Sequence, residues 1–258
     1  MNTFNILLSI WIIIGFLSFC YLIYKPAPYG RHIEKGWGAE ISARSGWVLM
    51  ESPAFYLMLI FFLIAGNFSN IAHITLTSLF CFHYFNRSFL WPLRSESKKK
   101  KIPLSVVFSA FFFNLINVFF QGTYIFILSS YSNDWVFSIP FIAGISLFLI
   151  GFLINFLSDE IIIKQKKEIN EGYFIAQGFL YKKITCPNYF GELIEWLGWA
   201  LMTYSFTGFV FFLWTLFNLL PRAISNHKWN NKNIKNPKII KASTPIAGAL
   251  RRSFFDNE

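Results

Sequence analysis

Long apolar stretches separated by short polar segments dominate the pattern along this chain. An uncharged run extends from the first residues through Tyr24, and further runs cover Trp47–Ala65, Ile71–Leu93, Pro103–Tyr131 and Ile139–Leu157. About 20 apolar residues cross the hydrocarbon core of a bilayer as a helix, so each run is long enough to span it. The pattern predicts five membrane spans. The first is expected to be a retained anchor, because no small-residue cleavage pattern follows it.

A sixth apolar run, Asn188–Pro221, is long for one span and short for two. The 23 Lys and Arg residues lie in Lys25–Arg44, Arg94–Lys101 and Lys164–Lys183, in the tail from Arg222, and at Arg87. Short cytosolic loops retain the basic residues, and all 23 share one side only if this run crosses twice, turning near Tyr204–Gly208. A single crossing is the alternative, and it would place the basic tail on the opposite side.

The predicted fold is therefore an all-α polytopic membrane protein with seven transmembrane helices. Its N-terminus is expected outside or in the lumen and its C-terminus in the cytosol. With 55% hydrophobic and 14% charged residues, the composition excludes an ordinary soluble domain. We find no CxxC, HExxH, P-loop or GxGxxG motif, which disfavours a metal site and a Rossmann domain. We expect one integral-membrane domain over 1–258, no metal, no nucleic-acid partner and no disulfide.

Polar residues inside the predicted spans are the candidate site, because ionisable groups at bilayer depth are costly and usually face a cavity or each other. Glu51 lies in the second span. Tyr84, Arg87 and Trp91 have i, i+3, i+7 spacing in the third. The remaining candidates are Asn114, Asn117 and Gln121 in the fourth span, Asn155, Ser158 and Asp159 at the end of the fifth, and Asn188, Glu192 and Glu195 on one face of the sixth.

These faces predict one cytosol-facing cavity that contains carboxylates, amides and a tyrosine and is rimmed by Arg and Lys. Such a cavity suits an apolar substrate together with an anionic, phosphate-bearing partner. Two alternatives stay open. The amides of the fourth span could be interhelical hydrogen bonds alone, and Arg87 could extend to lipid headgroups.

Several separated motifs follow one another along the chain in the order found in a known enzyme family. They are Tyr29-Gly30-Arg31-His32, Trp47 with Met50-Glu51-Ser52-Pro53, His83-Tyr84-Phe85-Asn86-Arg87, Asn155 with Ser158-Asp159, Gly172-Tyr173, Cys186 through Glu192 with Glu195-Trp196, and Pro221-Arg222-Ala223 with His227-Lys228-Trp229. The set resembles the steroid 5α-reductases, the 3-oxo-5α-steroid 4-dehydrogenase family, and most closely its plant-type members.

The resemblance implies seven helices around NADPH and reduction of the C4=C5 double bond of a 3-keto-Δ4 steroid, which enters laterally between helices near the first and fourth. Hydride goes to C5 and a proton to C4, so an enolate oxygen develops at C3. By similarity, Tyr84 would donate a hydrogen bond to that oxygen, and Glu51 would bind the same oxygen or orient Tyr84.

The resemblance also implies a cofactor-binding half over about 139–235. The matching cofactor positions are Arg87, Trp91, Asn155, Asp159, Lys166, Tyr173, Asn188, Glu192, Arg222 and Asn226. Trp91 replaces a usual tyrosine, Asn226 stands where animal members carry histidine, and Asn230 stands where tyrosine is expected. With the divergent tail 236–258, these departures bear on cofactor affinity.

Other functions are compatible with parts of the pattern. They are a polyprenal or enoyl-thioester reductase, an isoprenylcysteine-type methyltransferase, and a sterol-binding protein without turnover. We expect a monomer, in the endoplasmic reticulum membrane of a eukaryote or in the inner membrane of a bacterium.

Overall fold

Helices form most of the chain in the computed structural model, which describes residues 3–28, 30–32, 36–95, 100–168 and 174–233. The helices are α1 Thr3–Tyr24, α2 Ala43–Ala65, α3 Ile71–Phe85, α4 Trp91–Arg94, α5 Leu104–Thr123, α6 Ile139–Lys167, α7 Pro187–Thr203 and α8 Phe206–Asn233. A π-helical turn at Asn86–Leu90 joins α3 to α4 without a break, and another at Tyr124–Leu128 extends α5. Within these ranges, 3₁₀ turns lie at Gly30–His32, Asn133–Phe137 and Phe179–Lys182.

Length and composition identify membrane-crossing candidates among these helices. Within the described ranges, five helices are long and apolar enough to cross a bilayer: α1, α2, α5 with its π turn, α6 and α8. Four of them match predicted spans, and α8 begins in the second half of the run that was expected to cross twice. The chain is a polytopic membrane protein with a predominantly helical structure.

Close packing between α6 and α7 fixes the half of the molecule that carries most candidate cofactor residues. Gly144 and Gly151 of α6 face Gly198 and Gly191 of α7, and a Cβ on Gly144 would come 2.6 Å from the Gly198 carbonyl oxygen. A Cβ on Gly151 would collide with the backbone of Glu195. Gly191 and Gly198 therefore let α7 approach α6 closely, in the manner of small-residue interfaces in membranes.

The predicted turn in the last apolar run is confirmed. α7 ends at Thr203, and Tyr204 has φ +43°, a left-handed conformation in which the helix cannot continue. Ser205 Oγ accepts from the Gly208 amide at 2.9 Å and so satisfies a backbone donor in the first turn of α8. The run is two helices, and α8 continues past Pro221 to Asn233.

Two features differ from the sequence prediction. Glu40–Ser42 (β1) pairs antiparallel with Lys101–Pro103 (β2), in an otherwise helical chain. Three-residue strands are too short to give an alternating pattern, which explains why they were missed. In addition, α6 does not end near Leu157 but continues ten residues to Lys167, because its polar last turns have no helix-breaking residue. Asn155, Asp159 and Lys166 therefore share one helix.

Aromatic packing forms the core between α3, α7 and α8. Trp196, Trp199 and Phe80 are almost fully buried, and the rings of Trp196 and Phe211 lie 4.3 Å apart. Tyr84 belongs to the same cluster. The core therefore fixes the position of this tyrosine at the edge of a cavity inside the helix bundle.

Candidate active site

A cavity of about 570 Å³ lies inside the helix bundle, within the size range of ligand pockets, about 300–1,000 Å³. Residues from α1, α2, α5, α6, α7 and α8 line it, together with the helix formed by α3, its π turn and α4. Its polar wall contains Glu51, Tyr84, Arg87, Asp159, Asn188 and Glu192. Its apolar wall includes Leu22, Phe113, Trp214, Phe217 and Leu219. The predicted convergence of polar helix faces on one cavity is thus observed for these six polar residues.

An amide connects the two residues that were predicted to be catalytic. Tyr84 donates its hydroxyl to Asn114 Oδ1 at 3.3 Å, and Asn114 Nδ2 donates to Glu51 Oε2 at 3.2 Å. The same Nδ2 donates to the Met50 carbonyl at 2.7 Å, which fixes the orientation of the amide. Because Asn114 is 2% exposed, the phenol and the carboxyl group are held at defined positions in a dry part of the cavity wall.

Arg87 supplies the positive charge of the polar wall. Its guanidinium lies 3.7 Å from Asp159 Oδ2 and 4.0 Å from Glu192 Oε2. The rings of Trp47 and Trp91 lie 4.6 and 5.2 Å from its Cζ atom. Arg87 therefore faces the cavity with its guanidinium against two indoles and does not extend to lipid headgroups. Its long distances to the carboxylates leave the planar donor fork within reach of an anionic ligand.

Amide and carboxyl groups of α6 and α7 form the adjoining network. Asn188 Nδ2 donates to Asp159 Oδ1 at 3.0 Å, and Asn155 Nδ2 donates to the Asn188 carbonyl at 2.9 Å and towards Glu192 Oε2 at 3.5 Å. Asn155 is buried behind this network and does not line the cavity, so its contacts position Asn188 and Glu192. Carboxylates in such an arrangement can accept from ligand hydroxyl groups.

Two further basic side chains add positive charge to the cavity wall. Lys166, in the last turn of α6, and Arg222 of α8 both line the cavity, and Arg222 Nε donates to the Tyr189 hydroxyl at 2.9 Å. Acceptors for ribose hydroxyls, cations for phosphates and an adjacent apolar wall together fit a nucleotide beside a hydrophobic substrate. The described ranges contain no group of three His, Cys, Asp or Glu residues placed to hold a metal ion.

Asn226 and Glu195, like Asn155, do not line the cavity. Asn226 donates to Cys186 Sγ at 3.5 Å and contacts His32 Nε2 at 3.2 Å, so it ties the end of α8 to neighbouring segments. Tyr173 lies outside the described residues. Glu195, expected in the cavity with Asn188 and Glu192, is instead fully buried and lies 2.7 Å from His83 Nδ1. Glu195 therefore does not share the cavity-facing side of α7 with Asn188 and Glu192, as its helical spacing had predicted.

The amides of the fourth span divide between the two interpretations left open by the sequence. Asn114 faces the site, whereas Gln121 accepts from Trp199 Nε1 and donates to the Thr207 carbonyl, both at 2.9 Å, as interhelical hydrogen bonds. Asn114 was singled out as polar but not as the connection between Tyr84 and Glu51. The pair of His83 and Glu195 was missed altogether, since 112 positions separate its members and no local spacing relates them.

Comparisons with known proteins agree with this geometry. A family model described as 3-oxo-5-alpha-steroid 4-dehydrogenase matches residues 100–245. The steroid 5-alpha-reductase DET2 of Gossypium hirsutum is 40% identical over 240 residues, covering 91% of this chain and 93% of that protein. The protein of the same name from Arabidopsis thaliana is 39% identical and covers 87% and 89%. The 3-oxo-5-alpha-steroid 4-dehydrogenase 1 of Rattus norvegicus is 33% identical and covers 90% and 92%.

Each of these similarities covers most of both sequences, and the family model alone matches more than half of the chain. Asp159, Asn188 and Glu192 of the cavity lie within the residues that the family model matches. This chain belongs to the 3-oxo-5-alpha-steroid 4-dehydrogenase family, the steroid 5α-reductases.

Proposed function

We propose that this protein is an NADPH-dependent steroid 5α-reductase that reduces the C4=C5 double bond of 3-keto-Δ4 steroids. The observation that carries the proposal is the hydrogen-bonded chain from Tyr84 through Asn114 to Glu51, which faces a cavity with one apolar wall. The relatives are named for this reaction. A steroid would lie against the apolar wall with its C3 oxygen near Tyr84.

The chain's own residues supply binding, orientation and charge stabilisation. NADPH, when bound, supplies the hydride for C5. Arg87, Lys166 and Arg222 would hold the phosphates, while Asp159, Asn188 and Glu192 would accept from or donate to the ribose and carboxamide groups. Asn155 is proposed to support the cofactor through Asn188, and Trp91 through Arg87. Tyr173 and Asn226 stay proposed as cofactor-binding positions.

Tyr84 carries the stabilisation of the developing oxyanion. As negative charge forms on the C3 oxygen, the phenol transfers its hydrogen bond from Asn114 to that oxygen, in a region from which the packed helices exclude water. The contacts of the Tyr84 ring with the Phe80 and Trp196 rings keep the phenol in place during this exchange. A donor aimed at charge that develops only in the transition state raises the rate of the chemical step.

The test is turnover by the purified, detergent-solubilised chain. We expect NADPH to be consumed in the presence of 3-keto-Δ4 steroids, with a product two hydrogens heavier in mass spectrometry. The matched control is the corresponding 4,5-saturated ketone, which should cause no consumption. Tight NADPH binding without consumption on any 3-keto-Δ4 steroid would contradict the steroid assignment.

We also propose seven spans, with the N-terminus outside and the C-terminus in the cytosol. The support is that the helix over 71–94 is continuous and that α7 and α8 are separate helices. Successive spans then place the basic segments at one end of the bundle, as the positive-inside rule requires. The proposed location is the endoplasmic reticulum membrane, or the inner membrane if the cell is bacterial.

An accessibility experiment tests this orientation. In sealed vesicles of known sidedness, we expect an N-terminal epitope tag on the lumenal or outer side and a C-terminal tag on the cytosolic side. Permeabilised vesicles, in which both tags react, are the control. Two tags on the same face would contradict an odd number of spans.

A further inference from the structure

A buried pair of ionisable side chains lies directly beside the proposed oxyanion site. His83 Nδ1 is 2.7 Å from Glu195 Oε1, and the two side chains are 5% and 0% exposed. His83 lines the cavity, whereas Glu195 lies behind it on α7. The imidazole therefore faces the cavity, and a carboxyl group contacts it on the side away from the cavity.

The pair has the means to keep one proton. Glu195 Oε2 is buried and makes no hydrogen bond within the described part of the chain, so His83 is the only group there bonded to this carboxyl. An isolated buried carboxylate is costly, and the cost falls when it is paired with a cation or is itself protonated. As imidazolium with carboxylate, or as imidazole with carboxylic acid, the pair holds a proton that it can release.

The imidazole is also fixed in position. The Trp196 ring lies edge-on at 4.5 Å from the His83 ring, and the Tyr84 ring lies at 5.1 Å on the cavity side. Because Nδ1 is bonded to Glu195, Nε2 is the ring nitrogen left for a ligand. A carboxylate at Nδ1 that orients a histidine so that Nε2 can transfer a proton is a recurrent arrangement in enzymes.

The proposed reaction needs a proton donor at this place. C4 of the steroid is joined directly to C3, so a group that protonates C4 must stand close to the group that binds the C3 oxygen. Tyr84 is committed to that oxygen. His83, the adjacent residue in sequence, is within reach of the same end of the steroid.

We propose that His83, positioned by Glu195, donates the proton that C4 receives. This inference rests on the proposed function. After hydride has reached C5, the Nε2–H bond breaks, the electron pair of the enolate C3=C4 bond forms the new C4–H bond, and the C3 oxygen returns to a carbonyl. The pair then regains a proton from water at the mouth of the cavity, which balances the proton consumed in each turnover.

The test is the pattern of isotope effects in His83→Gln, whose amide can still hydrogen-bond to Glu195. We expect the rate of 5α-product formation to fall about 100-fold, the size typical of losing one acid–base group, with NADPH affinity unchanged. Protonation of C4 then limits the rate. The solvent deuterium kinetic isotope effect therefore rises, and the kinetic isotope effect measured with deuterated NADPH falls because hydride transfer no longer limits the rate. Glu195→Gln should shift both effects in the same directions, by less.

His73→Gln is the matched control, because His73 is a buried histidine of the same helix that accepts from the Asn67 amide, away from the cavity. We expect it to leave both isotope effects unchanged. A His83→Gln enzyme that is slower but keeps the wild-type isotope effects would show a purely structural role, and one with the wild-type rate would assign the proton to Tyr84 or water. Either result overturns the inference, whereas absence of product from the wild type overturns the proposed function instead.

Discussion

Replacing Tyr84 with Phe is expected to lower kcat for 5α-reduction roughly 100- to 1,000-fold, the usual effect of removing one oxyanion donor. The phenol hydroxyl faces the cavity, can donate a hydrogen bond to the C3 oxygen, and is held by Asn114 before substrate binds. Phe preserves the ring that packs 4.7 Å from Phe80, so the core should remain intact. The measurement is single-turnover formation of the 5α-product at saturating NADPH and steroid.

The matched control is Tyr131→Phe, which makes the same chemical change at the other end of the bundle. Tyr131 donates its hydroxyl to the Thr203 carbonyl at 2.5 Å and does not line the cavity. We expect Tyr131→Phe to reduce thermal stability slightly and to leave kcat unchanged. If Tyr84→Phe kept a kcat within a few-fold of the wild type, oxyanion stabilisation would have to come from another residue.

Replacing Arg87 with Gln is expected to weaken NADPH binding by roughly 2–5 kcal/mol, the cost of removing one partner from a buried charge pair. That change corresponds to roughly 30- to several-thousand-fold in Kd. The physical reason is twofold. The cofactor phosphates lose a cation. In addition, Asp159 and Glu192 face those phosphates without the Arg87 guanidinium, which in the wild type lies 3.7 and 4.0 Å from them. Fluorescence titration with NADPH measures the change.

Two further variants separate charge from geometry. Arg87→Lys keeps the charge but loses the contact of the planar guanidinium with the Trp47 and Trp91 rings, so we expect an intermediate Kd. Arg94→Gln removes a positive charge from the same continuous helix, but Arg94 pairs with Glu160 at 2.6 Å outside the cavity, and its Kd should match the wild type. Equal weakening by Arg87→Gln and Arg94→Gln would indicate a general electrostatic effect and contradict a direct contact.

The parts of the architecture that sequence could predict are those fixed by solvent and by charge. A bilayer requires long apolar helices, and the placement of basic residues required a turn inside the last apolar run, where Tyr204 indeed leaves the helix. Candidate residues such as Glu51, Tyr84 and Arg87 were visible because polar groups at bilayer depth are costly and need a partner.

Contacts between distant segments could not be predicted in the same way. Asn114 and Gln121 have the same polarity and lie on one helix, yet one completes the chain from Tyr84 to Glu51 and the other bonds Trp199. Glu195 was placed beside Glu192 by helical spacing, but the histidine it meets belongs to another helix. Such choices depend on which helices are neighbours and on their rotation, and neither follows from local periodicity.

The central claim is that this cavity directs hydride to C5 of a 3-keto-Δ4 steroid. The most direct test is incubation with NADPH deuterated at the transferable hydrogen, followed by location of the label in the product by mass spectrometry and NMR. The account predicts one deuterium at C5, on the α face, and hydrogen from solvent at C4. Deuterium at any other carbon, or a reduced product without the label, would contradict it.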